Sequence, residues 1–181
     1  ENFNTDTSAQ WNQLFGSYNG VTDYRCFFGY DYASGVYIPA IPAAPHSGSD
    51  THGLYLTVNK DDASDYGAAG VDVYPKGKSF SGDYAVRFDM YLMVGDAAST
   101  TEYALMGICH SGTKTNWFRN STTPAAGIPG GSFDGLFFGV EADAAALGDY
   151  AIYSSPTTAG NNPTIQTVGK RLLKPRKTRL F

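Results

Sequence analysis

The sequence predicts an all-β protein, an antiparallel jelly-roll β-sandwich. Three observations predict it. Apolar and polar residues alternate with a period of two in many short stretches. Turn chemistry separates those stretches. A helical period is nearly absent. The chain has 181 residues, a length suited to one domain, and 42% of them are hydrophobic, enough to build a core. Long crossing loops favour a jelly roll over an up-and-down meander.

The elements follow in chain order. Short strands are predicted at Asn2–Asn4, Gln13–Phe15 and Tyr24–Phe28. Pro39, Pro42 and Pro45 make residues 39–50 an extended loop. Leu54, Leu56 and Val58 alternate with Tyr55, Thr57 and Asn59, and Val71–Tyr74 is a shorter candidate. The strongest alternation lies at Tyr84–Val94. There Tyr84, Val86, Phe88, Met90, Leu92 and Val94 share one face, with Arg87, Asp89 and Tyr91 on the other. Ala104, Met106 and Ile108 form the next strand, and Asn116–Arg119 a short one. Residues 120–134, rich in Thr, Pro and Gly, read as a second long loop. Leu136, Phe138 and Val140 alternate with Phe137, Gly139 and Glu141. Ala142–Leu147 is a helix hint too short to stand alone, and reads as a loop turn. Ala151–Tyr153 and the weaker Thr164–Val168 complete the series. The sandwich is expected over 1–169, followed by a basic tail at 170–181.

Composition excludes several classes. No apolar run approaches the 18 or so residues of a membrane helix. Coiled-coil and collagen periods are missing. The formal net charge is −4, but 6 of the 13 basic residues fall between Lys170 and Arg179. Residues 1–169 then hold 7 basic residues against 17 acidic, a net of −10. An acidic body does not suit nucleic acid, whose phosphates need Lys and Arg. The tail reads as a solvated, disordered end, with contact to an anionic surface as the alternative. Cys26 and Cys109 are too few for a disulfide framework. They read as two buried free thiols, with pairing left open. His46, His52 and His110 have no metal-motif spacing, and no CxxC pair supports zinc. Asn120-Ser121-Thr122 fits a glycosylation acceptor, without meaning in a bacterial source. The chain opens with Glu1 and no apolar leader, so a leader removed or an excised piece is expected. Abundant Tyr, Thr, Ser, Asn and Gly with few Lys suggests an exported bacterial protein.

Several strings then follow one another. They are Phe28-Gly29-Tyr30-Asp31-Tyr32, Gly53-Leu54-Tyr55-Leu56-Thr57-Val58-Asn59 and Phe80-Ser81-Gly82-Asp83-Tyr84-Ala85-Val86-Arg87-Phe88-Asp89-Met90. After them come His110-Ser111-Gly112-Thr113-Lys114-Thr115-Asn116-Trp117 and Asp134-Gly135-Leu136-Phe137-Phe138. Over roughly residues 1–154 this order resembles exported bacterial modules of the concanavalin A-like lectin/glucanase superfamily, of the Planctomycetes and Verrucomicrobia type. The resemblance implies an extracellular or cell-surface jelly roll. It does not imply one activity, because the superfamily holds glycosidases, lectins, laminin G-like modules and adhesins. Such modules close with strands beside the first one. The weak pattern after Ser154 is therefore expected to mark either a fragment lacking its last strands or a final stretch from a shifted reading frame, and either leaves an open sheet edge.

The resemblance frames three candidate chemistries. Retaining glucanases of the superfamily carry Glu-x-Asp-x-Glu on a concave strand, with two Glu as nucleophile and acid/base. The nearest string here is Glu141-Ala142-Asp143-Ala144-Ala145-Ala146. The second Glu falls on Ala145 or Ala146, so the proton donor to the leaving oxygen is missing. Glu141 and Asp143 then read as solvent-facing charges. Lectins of the superfamily hold calcium with hard oxygen ligands. Asp61, Asp62 and Asp65 are the candidate set for a structural calcium, with solvated loop carboxylates as the alternative. The third candidate is a glycan surface, built from aromatic rings and planar polar groups. Its candidates are Trp117, Asn116, Arg119, His110 and Asp134 in loops, with Tyr91, Arg87 and Asp89 lining the concave sheet. Against it, Trp117 could be a core anchor, Arg87 and Asp89 a cross-strand ion pair, and His110 a turn residue. The function expected is a non-catalytic, extracellular carbohydrate-binding or adhesion module. The alternatives are a structural surface module that binds protein or itself, and a β-glucanase.

Overall fold

The computed structural model of the chain describes residues 1–17, 24–58, 69–93, 103–109, 136–141, 150–154 and 164–166. Among these residues the regular elements are strands, apart from one 3-10 turn at Ser8–Gln10, so the described protein is all-β. The strands are β1 (Trp11–Ser17), β2 (Tyr24–Asp31), β3 (His52–Val58), β4 (Ala69–Pro75), β5 (Tyr103–Ile108), β6 (Leu136–Glu141), β7 (Tyr150–Ser154) and β8 (Thr164–Gln166). The described residues fall into two packing units, one ending at Tyr91 and one starting at Leu92.

The first unit contains two antiparallel ribbons. β1 pairs with β4 from Trp11↔Pro75 to Ser17↔Ala69. β2 pairs with β3 from Tyr24↔Val58 to Asp31↔His52. In chain order the β2–β3 pair is therefore enclosed between the two strands of the other ribbon. Aromatic packing joins the ribbons. Phe15 of β1 stacks on Tyr24 of β2, with centroids 4.9 Å apart and planes 1° apart. Phe3, Trp11 and Phe28 form a triangle with centroid separations of 5.4–5.9 Å. Phe28 is 8% exposed and is the buried aromatic among the described residues of this unit. Complete burial of a Phe side chain is worth about 1.5–3 kcal/mol, so this triangle holds the N-terminal segment against β2.

The link from β2 to β3 is the predicted proline-rich loop, and it is ordered by Tyr32. The Tyr32 hydroxyl donates to the Asp50 carbonyl at 2.8 Å and accepts from the Ala44 N–H at 3.1 Å. Its backbone N–H donates to the Thr51 carbonyl at 2.9 Å, and its carbonyl accepts from the Ile41 N–H at 3.2 Å. Ile38, 9% exposed, is buried in the same loop. A loop without a ladder must satisfy its polar backbone elsewhere, and one tyrosine does much of that here.

The second unit is a four-stranded antiparallel sheet in the order β5-β6-β7-β8. Its register sets Met106 opposite Phe138, and Phe138 opposite Ile152. Val140 on β6 is 6% exposed.

Two predicted strands are not strands. Asn2–Asn4 joins no ladder: the chain bends at Asn4, and Phe3 has a φ of 54°. A positive φ breaks the extended path that a ladder needs. The strong alternation at Tyr84–Val94, described as far as Met93, joins no described sheet. The face expected to be buried is open: Val86 is 51% exposed and Phe88 50%. Alternation gives a segment the capacity to cover a sheet, but burial also needs a partner strand and a facing layer. The predicted strand Asn116–Arg119, the loop 120–134 and the turn Ala142–Leu147 lie outside the described residues.

Candidate functional site

The notable surface of the first unit is an aromatic platform on the β2–β3 ribbon. A fault in the two-residue alternation builds it. Phe27 pairs with Tyr55 and Tyr30 with Gly53, so Phe28 and Gly29 together oppose the single residue Leu54. This is a β-bulge, which shifts the side-chain parity by one. Phe27 and Tyr30, three residues apart, thereby share a face with Tyr55. Phe28 turns the other way, into the triangle with Phe3 and Trp11. Gly29 makes the bulge possible. Its φ is +68°, and a Cβ there would stand 2.7 Å from the Thr5 backbone carbon.

The loop adds Tyr37 to this face. Tyr30 and Tyr55 stack at 4.7 Å, and Phe27 lies 6.0 Å from Tyr55. Tyr37 lies 5.5 Å from Phe27 and 6.1 Å from Tyr55, nearly parallel to the latter at 5°. The Tyr37 N–H donates to the Tyr30 hydroxyl at 3.3 Å, which anchors the loop to the strand. Arg25 completes the group, its guanidinium carbon 4.3 Å from the centre of the Tyr37 ring. The platform faces solvent: Phe27 is 38% exposed and Tyr37 46%. Contiguous exposed rings of this kind mark contact surfaces more often than isolated ones do. Ring faces flanked by hydroxyls and a guanidinium can stack on an apolar face and hydrogen-bond its polar rim.

The residues singled out from the sequence are placed differently. Trp117, Asn116, Arg119, His110 and Asp134 lie outside the described residues, as do Asp61, Asp62 and Asp65. Tyr91 is 56% exposed and Arg87 is also exposed, both on the segment that joins no described sheet. Asp89 is bound to His46 of the loop. One carboxylate oxygen meets His46 Nδ1 at 2.7 Å, and the other accepts the His46 N–H at 2.9 Å. The side-chain contact to His46, with the backbone one behind it, holds the Asp89 carboxyl below the usual aspartate range. Asp50 is held low by the His52 N–H and then by the His52 ring. Asp31 is held low by the Thr51 hydroxyl and then by the Ala33 N–H. Glu141 ends β6, in register with Tyr103. Asp143, Ala145 and Ala146 lie outside the described residues. Among the described residues no group of three His, Cys, Asp or Glu side chains is placed to hold a metal ion.

The chain matches no protein-family model, no curated protein and no solved structure. The aromatic platform was missed in the sequence because its members obey no single period. A signal was present in Phe27-Phe28-Gly29-Tyr30: a glycine between aromatic residues inside a strand pattern marks a bulge.

Proposed function

We propose that the protein is a non-catalytic carbohydrate-binding module, extracellular or on a cell surface, with a jelly-roll sandwich as its complete fold. The observation that supports this reading is the contiguous aromatic array of Phe27 and Tyr37, both exposed, with the half-buried Tyr30 and Tyr55, beside Arg25. Pyranose rings present C–H faces that stack on such rings, and hydroxyls that pair with groups at the rim. A saccharide chain laid along β2–β3 meets Tyr30 at one end, the cross-strand pair Phe27 and Tyr55 with Tyr37 in the middle, and Arg25 at the other end.

Glycan-array binding of the wild-type chain is the first test. Phe27→Ala and Tyr37→Ala each weaken the bound glycan by about tenfold, equivalent to ~1.4 kcal/mol, with the sheet signature in circular dichroism unchanged. Trp117→Ala reports separately on the loop residues expected from the sequence. Glycan binding that persists in both platform variants removes β2–β3 from the site. The absence of binding to any glycan removes the reading altogether.

A further inference from the structure

We infer that the platform selects acidic saccharides, chains containing uronic acid, and that Arg25 reads the carboxylate. The inference rests on the carbohydrate-binding reading. Its first support is the charge on this face. Strand parity and the bulge put Arg25, Phe27, Tyr30, Gly53, Tyr55 and Thr57 on one side of the ribbon. Asp31 and His52 face the other side. Arg25 is therefore the one formally charged residue that β2 and β3 present there. The second support is how Arg25 is held. Its guanidinium is placed by the Tyr37 ring at 4.3 Å, a contact with the ring face that uses no N–H donor. Among the described residues no carboxylate stands within ion-pair distance of it. A half-buried guanidinium that is already oriented, and that among the described residues has no carboxylate partner, suits a carboxylate that accepts two of its N–H groups.

The third consideration is competition from the rest of the chain. The net charge of −4 repels an anionic polymer at long range. At physiological salt that field decays within about 8 Å, whereas the contact with Arg25 is direct. The local cation therefore decides preference, and the net charge slows encounter.

The test uses the full chain with an oligomer of galacturonic acid and its methyl-esterified form, which keeps the sugar rings and removes the charge. Titration calorimetry is run at low and moderate salt on wild type, Arg25→Met, Arg25→Lys and Phe27→Ala. Wild type is expected to bind the acid about tenfold or more tighter than the ester, as charge-assisted hydrogen bonds imply. Arg25→Met equalises the two ligands. Arg25→Lys retains part of the preference, and that part is more salt-sensitive. Phe27→Ala weakens both ligands alike. Equal affinities for acid and ester in wild type overturn the inference, and so does a preference that survives in Arg25→Met. If acid and ester bind wild type equally and Phe27→Ala weakens both, the platform stands while the role of Arg25 falls. Binding of neither ligand overturns the inference for uronates, and the glycan array then decides the platform separately. A polyglutamate peptide that competes as well as the uronate also overturns it, because recognition would then need charge without a sugar ring.

Discussion

Asp89 accepts from both the ring and the backbone N–H of His46, and so ties an exposed segment to the loop between β2 and β3. The pair is solvent-screened, with the His46 side chain 86% exposed, and its net strength is small at neutral pH. Its signature lies in acid. A carboxyl held below its ordinary value of 3.8 adds stability above that value and loses it as pH falls through the lowered one. Asp89→Asn is therefore expected to show a smaller fall in Tm than wild type between about pH 5 and about pH 2.5. Among the described residues Asp6, Asp31 and Asp50 are also lowered and contribute to the same acid limb. Cys26 shifts the opposite way. Burial pushes its thiol up to about 11 from 9.0. At pH 8 its thiolate fraction falls about 100-fold, while its greater basicity returns close to tenfold in nucleophilicity. Iodoacetamide should therefore label Cys26 about tenfold more slowly than an unstructured cysteine peptide, as followed by mass spectrometry of the tryptic fragment.

At the scale of the element, the bulge in β2 connects folding to the candidate site. Without it, Phe27 and Tyr30 would fall on opposite faces, and Tyr30 would share the side of Phe28. Gly29→Ala places a Cβ against the Thr5 backbone and forces an L side chain into a left-handed φ. The expected cost is about 2 kcal/mol, read as a Tm lower by roughly 4–8 °C. The same variant should weaken glycan binding, because relief of the clash shifts the parity of Phe27 against Tyr30. A variant that melts as wild type and binds as wild type would show that the bulge tolerates a side chain.

At the scale of the molecule, the two main readings differ in mass. A carbohydrate-binding module with a polar rim stays at the 19.4 kDa of the single chain across concentration. A module that assembles with itself through exposed strands does not. Static light scattering is expected to give the monomer mass over about a hundredfold range of concentration. A mass that climbs with concentration would favour the structural module. Exposed apolar residues at Val86, Phe88 and Met90 are the place to look for such contacts.

Much of the strand content was legible in the chain. β1, β2, β3, β4, β5, β6 and β7 coincide with segments read as strands in the sequence, because period-two burial is a local property of each strand. The proline-rich loop was legible for the same reason: proline removes its own donor wherever it stands. Alternation at Tyr84–Met93 could not tell whether a partner strand lies beside it, since pairing depends on residues far along the chain. Nor could it reveal the platform. That surface needs a parity shift at Gly29, a cross-strand partner in Tyr55 and a loop that returns Tyr37 to the same face. Local spacing dictates which residues can form strands. The pairing of distant segments selects which side chains meet, because cross-strand neighbours are set by register and not by proximity in sequence.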